Sequence, residues 1–261
     1  MQHEPGQISC ILPASINHAQ TARSILCFQN QTWFNKVLIL VQGGNEDLSP
    51  LLEDLHPGMY EHHKTKIEPG DTISLLNYGL QKARGQFVAL FNENEWSHSE
   101  RLEKQAQVLS DGCDMCWFGS TLYHLDHPEH FHQPYVHAPI GGYAPGIMFK
   151  NNPAFFFSDR KRNPYRHFLS LWKEHLYKRL DHSYASYLIR HMKVQPKSKA
   201  LRMFYSGLRK TPVNLFWYTL LKSTGKNLSY HPQFRLTQKE KEHVQMYLRE
   251  TQALGLFDTA S

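Results

Sequence analysis

Cysteine is scarce in this chain: Cys10, Cys27, Cys113 and Cys116 are the only four among 261 residues. So few, so widely spaced, do not make a disulfide framework, and buried reduced thiols are expected. Long apolar runs are missing as well. No stretch of about 18 apolar residues occurs, so no spanning helix is expected. The start, Met1-Gln2-His3-Glu4-Pro5-Gly6, carries an acid and no apolar h-region, so no secretory signal is expected. Internal repeats, low-complexity tracts and a Pro/Gly/Ser linker are all lacking. Cys113-Asp114-Met115-Cys116 has no second CxxC, and its alternation with Trp117 and Phe118 reads as a strand rather than a zinc site. Gly141-Gly142-Tyr143-Ala144-Pro145-Gly146 lacks the lysine of a phosphate loop. No RRM, helix-turn-helix or zinc-finger pattern is present, so nucleic acid is not an expected partner.

The chain does have the means to fold. Hydrophobic residues make up 41% and aromatics 13%, enough for a sizeable core. Charge is divided unevenly. Residues 1–150 hold 9 Lys/Arg against 16 Asp/Glu, and residues 151–261 hold 20 against 7. A basic second half suggests an anionic partner, such as a phosphate-bearing substrate or an anionic membrane surface.

Hydrophobic periodicity orders the first 120 or so residues as alternating strands and helices. Ile8–Leu12, stopped by Pro13, reads as a buried strand. Ala22, Ile25, Leu26 and Phe28 recur at helical spacing. Lys36–Val41 is a second strand, closed by Gly43-Gly44-Asn45. Glu46–Leu55 reads as a short amphipathic helix, and Lys64–Ile67 as an edge strand. Glu68–Asp71 is a turn, and Ile73, Leu76 and Leu80 share a helical face up to Gly85. Phe87–Phe91 is the strongest strand. Ser97-His98-Ser99-Glu100 fits a capping box ahead of a helix bearing Leu102, Gln105, Ala106 and Leu109. Asp114–Leu122 reads as one further strand, and Ile147–Phe149 as another. Alternation of this kind implies an α/β fold with a mostly parallel, doubly wound sheet. Ligands then bind at the carboxyl ends of the strands. The loops there are polar: Ser15, Asn17, Gln42, Asn45, Asp47, Asn92, Glu93, Asn94 and Glu95. Amides and hydroxyls read a base or a sugar, and carboxylate and amide oxygens hold a hard divalent cation.

Those loops and their flanks resemble the family-2 glycosyltransferases of GT-A fold, from Ile8 to Trp117 in unbroken order. Ile8–Pro13 is similar to the opening strand of that family. Ser24–Trp33 resembles its first helix and Q-T-aromatic turn. Val41-Gln42-Gly43-Gly44-Asn45-Glu46-Asp47 stands where the family has V-D-D-G-S-x-D. Asn77–Gly85 resembles its N-x-G-L-x-x-A-x-G segment. Phe91–Trp96 lies at the L-D-x-D-D position, and Arg101-Leu102-Glu103-Lys104-Gln105 matches the R-L-E-K-Q that follows. The resemblance implies a nucleotide-sugar-binding region over residues 1–150, and an acceptor-side, helical and basic region over residues 151–261. It implies transfer of a sugar from a nucleotide-diphosphate donor to a saccharide or lipid-linked acceptor. Pro13, Ser15, Asn17, Gln42 and Asn92 would bind the nucleotide. Asn94 and Glu95 would hold Mn2+ or Mg2+. A base near the family's E-D and L-W segment would deprotonate the acceptor, and His167 and Glu174 are the nearest candidates here.

Departures fall on the working positions. The nucleoside-binding aspartate is Gln42, both DxD aspartates are asparagines (Asn92 and Asn94), and the arginine before Asn77 is Leu76. Two readings follow. One is a divergent transferase, with Arg160, Lys161 and Arg162 offsetting the diphosphate charge. The other is a catalytically inactive GT-A-like binding or scaffold protein. Five histidines, His124, His127, His130, His132 and His137, crowd a loop expected on the acceptor side, with a zinc or nickel site as a lesser alternative. Residues 197–226 interleave basic and aromatic residues as interfacial helices do. A cytoplasmic location follows, with that segment resting on the inner membrane face.

Overall fold

A computed structural model describes residues 3–14, 18–93, 95–118, 120–124, 135–137, 146–158, 164–172, 177–180 and 186–190. Strand β1 (Glu4–Ala14) lies near the centre of a seven-stranded sheet. Its residues from Ile8 onward are buried on both faces, which is why the run reads as uniformly apolar. β2 (Lys36–Gly43) and β3 (Tyr60–Thr65) extend the sheet to one edge, all in parallel. On the other side β1 pairs in parallel with β4 (Gly85–Leu90). Beyond it lie β9 (Ile147–Lys150), antiparallel to both neighbours, then β6 (Met115–Phe118), then β10 (Tyr177–Leu180). A second sheet carries β5 (Glu95–Ser97), β11 (Ser186–Arg190), β7 (Ser120–His124) and β8 (Tyr135–His137), in that order.

Helices cover both faces of the main sheet. On one face α1 (His18–Gln29) and α3 (Arg101–Ser110) bring Ile25, Phe28, Leu102 and Leu109 onto Ile8, Cys10, Leu12, Leu38 and Leu40. On the other, α2 (Thr72–Lys82) and α4 (Pro164–Leu171) bring Leu75, Leu76 and Phe168 onto Ile11, Ile39, Val41 and Phe149. The GT-A arrangement expected from the sequence, α/β and doubly wound, is thus present. Strands β10 and β11, from residues 151–261, complete sheets begun in residues 1–150.

Several local expectations are corrected. Residues 46–55 do not form an α-helix. A 3-10 turn at Ser49–Leu52 takes their place, because Pro50 restricts the start and only Leu48, Leu52 and Leu55 are buried. The edge strand lies at Tyr60–Thr65, earlier than Lys64–Ile67. The Ser97–Glu100 capping box does not form: Ser97 belongs to β5, and Glu100 precedes α3 with no side-chain cap. Asp114–Leu122 is two strands, β6 and β7, paired in different sheets. Helix α2 ends at Lys82, and Gly85 opens β4 instead of stopping the helix.

Two contacts fix α2. Asp71 caps it by accepting from the Ser74 amide at 3.1 Å. Asn77 clamps the chain at Phe157 in both directions, donating to its carbonyl (2.7 Å) and accepting from its amide (2.8 Å). Phe157 in turn stacks on Phe168 at 4.2 Å, and Phe155 meets Trp172 edge-on at 4.4 Å. This aromatic group seats α4 against β9.

Candidate functional site

Because β1, β2, β3 and β4 are parallel, their carboxyl ends share one edge of the sheet. Pro13 lies beside Val41, Ala14 beside Gln42, and Gln42 beside Lys64. The Phe91 amide continues the β4 ladder onto the Ile11 carbonyl at 2.8 Å, which brings Asn92 to the same edge. Pro13, Gln42 and Asn92 are therefore brought together, as the sequence implied.

Around β2 the edge is a closed polar network. Gln42 is only 1% exposed. Its Nε2 donates to the Glu46 carbonyl, and its Oε1 lies 2.8 Å from His62 Nε2. Its carbonyl accepts from Thr65 Oγ1 at 2.9 Å. Gly44, at φ +81°, turns the chain between these contacts. Further out, His18 Nε2 meets Glu46 at 3.2 Å and Lys64 meets Asp47 at 3.1 Å. Hydrogen bonds from Ser49 and then Lys64 hold the exposed Asp47 carboxyl down at about 2. Burial, seconded by Lys64, lowers the pKa of His62.

At the end of β4 the loop is tied to α1. Ser24 Oγ donates to the Asn92 carbonyl at 2.8 Å, and one turn earlier Thr21 Oγ1 donates to Glu93 at 2.5 Å. Glu93 is buried. Beneath the loop, Arg101 is 1% exposed. It donates to the Leu90 carbonyl at 2.8 Å and to Gln105 Oε1 at 3.1 Å, with its guanidinium 4.8 Å from the centre of the Phe91 ring. Gln105 reaches on to the Gly146 carbonyl at 2.6 Å. Gln31 joins the ends of α1 and α3: it donates to the carbonyls of Cys27 and His98 and accepts from the Leu102 amide.

The remaining sequence candidates are distributed as follows. His167 is half-buried on α4, on the α2 side of the sheet. Glu95 stands in β5, opposite Leu188. Ser15, Asn17, Asn94 and Glu174 lie outside the described residues, as do His127, His130, His132, Arg160, Lys161, Arg162 and residues 197–226. Among the described residues no three His, Cys, Asp or Glu converge as a cation site. Glu93 is turned toward α1, and the side chains expected to hold Mn2+ or Mg2+, those of Asn94 and Glu95, lie outside the described residues. No described helix is long and apolar enough to cross a membrane. Sequence reasoning missed His62, Thr65, Thr21 and Ser24 as parts of this edge. His62 was findable in principle, since it alternates with Tyr60 and Lys64 along β3.

Comparison with known proteins places the fold. No family model matches the chain. EpsH of Bacillus subtilis (strain 168), which carries a provisional glycosyltransferase name, is 26% identical over 88 residues, covering 33% of this chain and 26% of EpsH. The matched stretch thus spans about a quarter of that relative. TarS of S. aureus (residues 1–349), solved with UDP-GlcNAc, superposes with a TM-score of 0.55 at 11% identity, covering 76% of this chain and 64% of TarS. A mannosyltransferase of Pyrobaculum calidifontis, solved with GDP-Man and Mn2+, superposes with a TM-score of 0.55 at 11% identity, covering 98% of this chain and 76% of the other. The chain has the fold of these glycosyltransferases.

Proposed function

We propose that the carboxyl edge of the main sheet binds a nucleotide-diphosphate sugar, and that the protein is a glycosyltransferase acting on a saccharide or lipid-linked acceptor. The observation that carries this reading is the convergence of Pro13, Gln42 and Asn92 on one edge of a fold shared with two proteins solved with nucleotide sugars. The nucleoside lies along the ends of β1 and β2, near Pro13, Ser15, Asn17 and Gln42. The diphosphate lies toward Asn92, Asn94 and Glu95. In the transfer, a base takes the proton of an acceptor hydroxyl, the oxygen bonds to the anomeric carbon, and the nucleoside diphosphate leaves with the electron pair. That base would be His167 or Glu174. Family-2 membership, a role in polysaccharide synthesis and contact of residues 197–226 with the inner membrane face belong to the same reading.

A second reading is favoured by one observation: Gln42, at the nucleoside position, spends its amide on Glu46 and His62. In that reading the protein is a GT-A-like binding module without turnover. A thermal-shift panel of UDP-, GDP- and TDP-sugars tests the first claim. A ligand at 100 times its Kd adds about 2.7 kcal/mol to the native state. No shift with any donor, with or without Mn2+, removes both readings of the site. A shift with no release of nucleoside diphosphate across an acceptor panel selects the second.

A further inference from the structure

We infer that His62 is a positioning residue for donor binding: it locks the Gln42 amide and, through it, the 43–47 loop in the shape that receives the nucleoside. This rests on the reading of the carboxyl edge given above.

Gln42 is the junction of three segments. Its Oε1 faces His62 Nε2 on β3 at 2.8 Å, its Nε2 donates to the Glu46 carbonyl in the loop, and its own carbonyl accepts from Thr65 Oγ1 on β3 at 2.9 Å. At 1% exposure the amide is sealed from solvent and offers no open face to a ligand. An amide oxygen accepts but cannot donate, so the proton of this contact lies on His62 Nε2. The depressed pKa of His62 agrees with a neutral ring in the Nε2–H tautomer. The bond also fixes which way the amide faces. With Oε1 held by His62, Nε2 must point at Glu46, and this holds the loop backbone in place. Glu46 then extends to His18 at the start of α1, and Lys64, the next β3 residue on the same face as His62, holds Asp47. Both sides of the nucleoside subsite, the β1–α1 junction and the β2 loop, thereby depend on one imidazole donor. Its place on an edge strand, half-buried, makes His62 the part of this junction most open to substitution without loss of core.

Two variants decide the matter. His62→Leu keeps bulk and removes the donor. Gln42 Oε1 then has no partner in a sealed site, a cost that falls on the loop. His62→Gln places an amide N–H near the position of Nε2 and restores the contact. Titration with UDP and GDP is expected to show affinity for the preferred nucleotide weakened about tenfold or more in His62→Leu, a loss of about 1.4 kcal/mol. His62→Gln is expected to stay within about threefold of wild type, roughly 0.7 kcal/mol. Nitrogen-15 spectra supply a readout apart from binding. The wild-type Gln42 side-chain amide is expected to be protected from exchange and His62 to be in the Nε2–H tautomer. Should His62→Leu fail to fold, a rapidly exchanging Gln42 amide or an Nδ1–H tautomer in the wild type overturns the proposal. So does unchanged nucleotide affinity in a folded His62→Leu, or a His62→Gln as weak as His62→Leu. Failure of the wild type to bind any nucleotide overturns the reading of the site itself, and this proposal with it.

Discussion

Gly79→Ala tests the packing on which the edge is built. Helix α2 crosses β1 and β2 so closely that an added Cβ at position 79 would stand 2.4 Å from Ile11 Cγ2 and 3.3 Å from Val41 Cγ2. Both neighbours are 0% exposed. Ile11 has no easy retreat, because its strand is paired on both sides, with β2 and β4. Two effects oppose each other. Alanine raises helix propensity by about 1 kcal/mol over glycine. Overpacking a filled core costs about 1–3 kcal/mol, and an approach of 2.4 Å belongs at the upper end of that range. The net expectation is a loss of about 1–2 kcal/mol, or about 2–8 °C in Tm for a chain of this size. Thermal and urea unfolding of the variant measure it directly. A double-mutant cycle with Ile11→Ala isolates the cause, since the new methyl then enters the space Ile11 vacates and the cost of Gly79→Ala should largely vanish. A Gly79→Ala protein as stable as wild type, or an undiminished cost in the Ile11→Ala background, refutes the argument.

Asn77→Ala removes both bonds to Phe157 and leaves that backbone amide and carbonyl without their partner; a loss of about 1–3 kcal/mol in urea unfolding is expected, and a neutral result contradicts the clamp. Thiol titration of the native protein at pH 8 should modify Cys113 quickly and spare Cys10, Cys27 and Cys116, with all four reacting in denaturant. Burial pushes the Cys10 thiol up to about 12, so fast native labelling of that residue contradicts its place in β1. The pH dependence of stability has a definite sign at His62: its folded pKa lies below the ordinary 6.5, so the unfolded chain takes up more protons in acid. Its contribution is present above pH 6.5 and is lost as the pH falls through the folded value, and His62→Gln should flatten the slope of unfolding free energy between pH 7.5 and 5.5; an unchanged slope argues against a buried neutral ring. Asp47 acts lower on the scale, its contribution present above its ordinary 3.8 and lost as pH falls toward about 2, and added salt should weaken only the share owed to Lys64, leaving that of the Ser49 hydrogen bonds.

The main sheet was legible because its strands are apolar on both faces. Ile8–Leu12, Lys36–Val41 and Phe87–Phe91 leave little choice but buried strands, and turn residues separate them. The failures share a physical cause: periodicity reports which face is apolar, and is silent about what a segment pairs with. Asp114–Leu122 alternates smoothly, yet Met115–Phe118 joins one sheet and Ser120–His124 another. Ser97-His98-Ser99-Glu100 has the letters of a cap, yet the Ser97 amide donates to Cys27 Sγ at 3.2 Å and its segment pairs with β11. His62-His63-Lys64 has no apolar alternation, so periodicity set the edge strand at Lys64–Ile67, too late in the chain to take in His62. In the site, the convergence of Pro13, Gln42 and Asn92 followed from strand order alone. Which way Gln42 and Glu93 turn did not, because that depends on Thr21, His62 and Thr65, contributed by other segments.

The residues that carry the resemblance are largely buried tie points. Gln31 joins α1 to α3, Asn77 grips Phe157, Gly79 admits β1, and Arg101 and Gln105 brace the end of β4 and Gly146. Each fills a place where backbone groups need one particular partner or one particular gap, so such residues mark a fold more than a chemistry. Of the positions that differ, Gln42 and Asn92 lie along the edge and Leu76 is buried on α2. The change at Gln42 leaves no polar group idle: its side-chain amide is satisfied from two sides. An unmatched amide buried there would cost the fold and an apolar residue would serve, so a glutamine with its donor and acceptor both matched has a structural task at this place. The matched network at Gln42 and His62 therefore favours an edge of neutral groups that holds a defined shape, as the proposed donor binding would require.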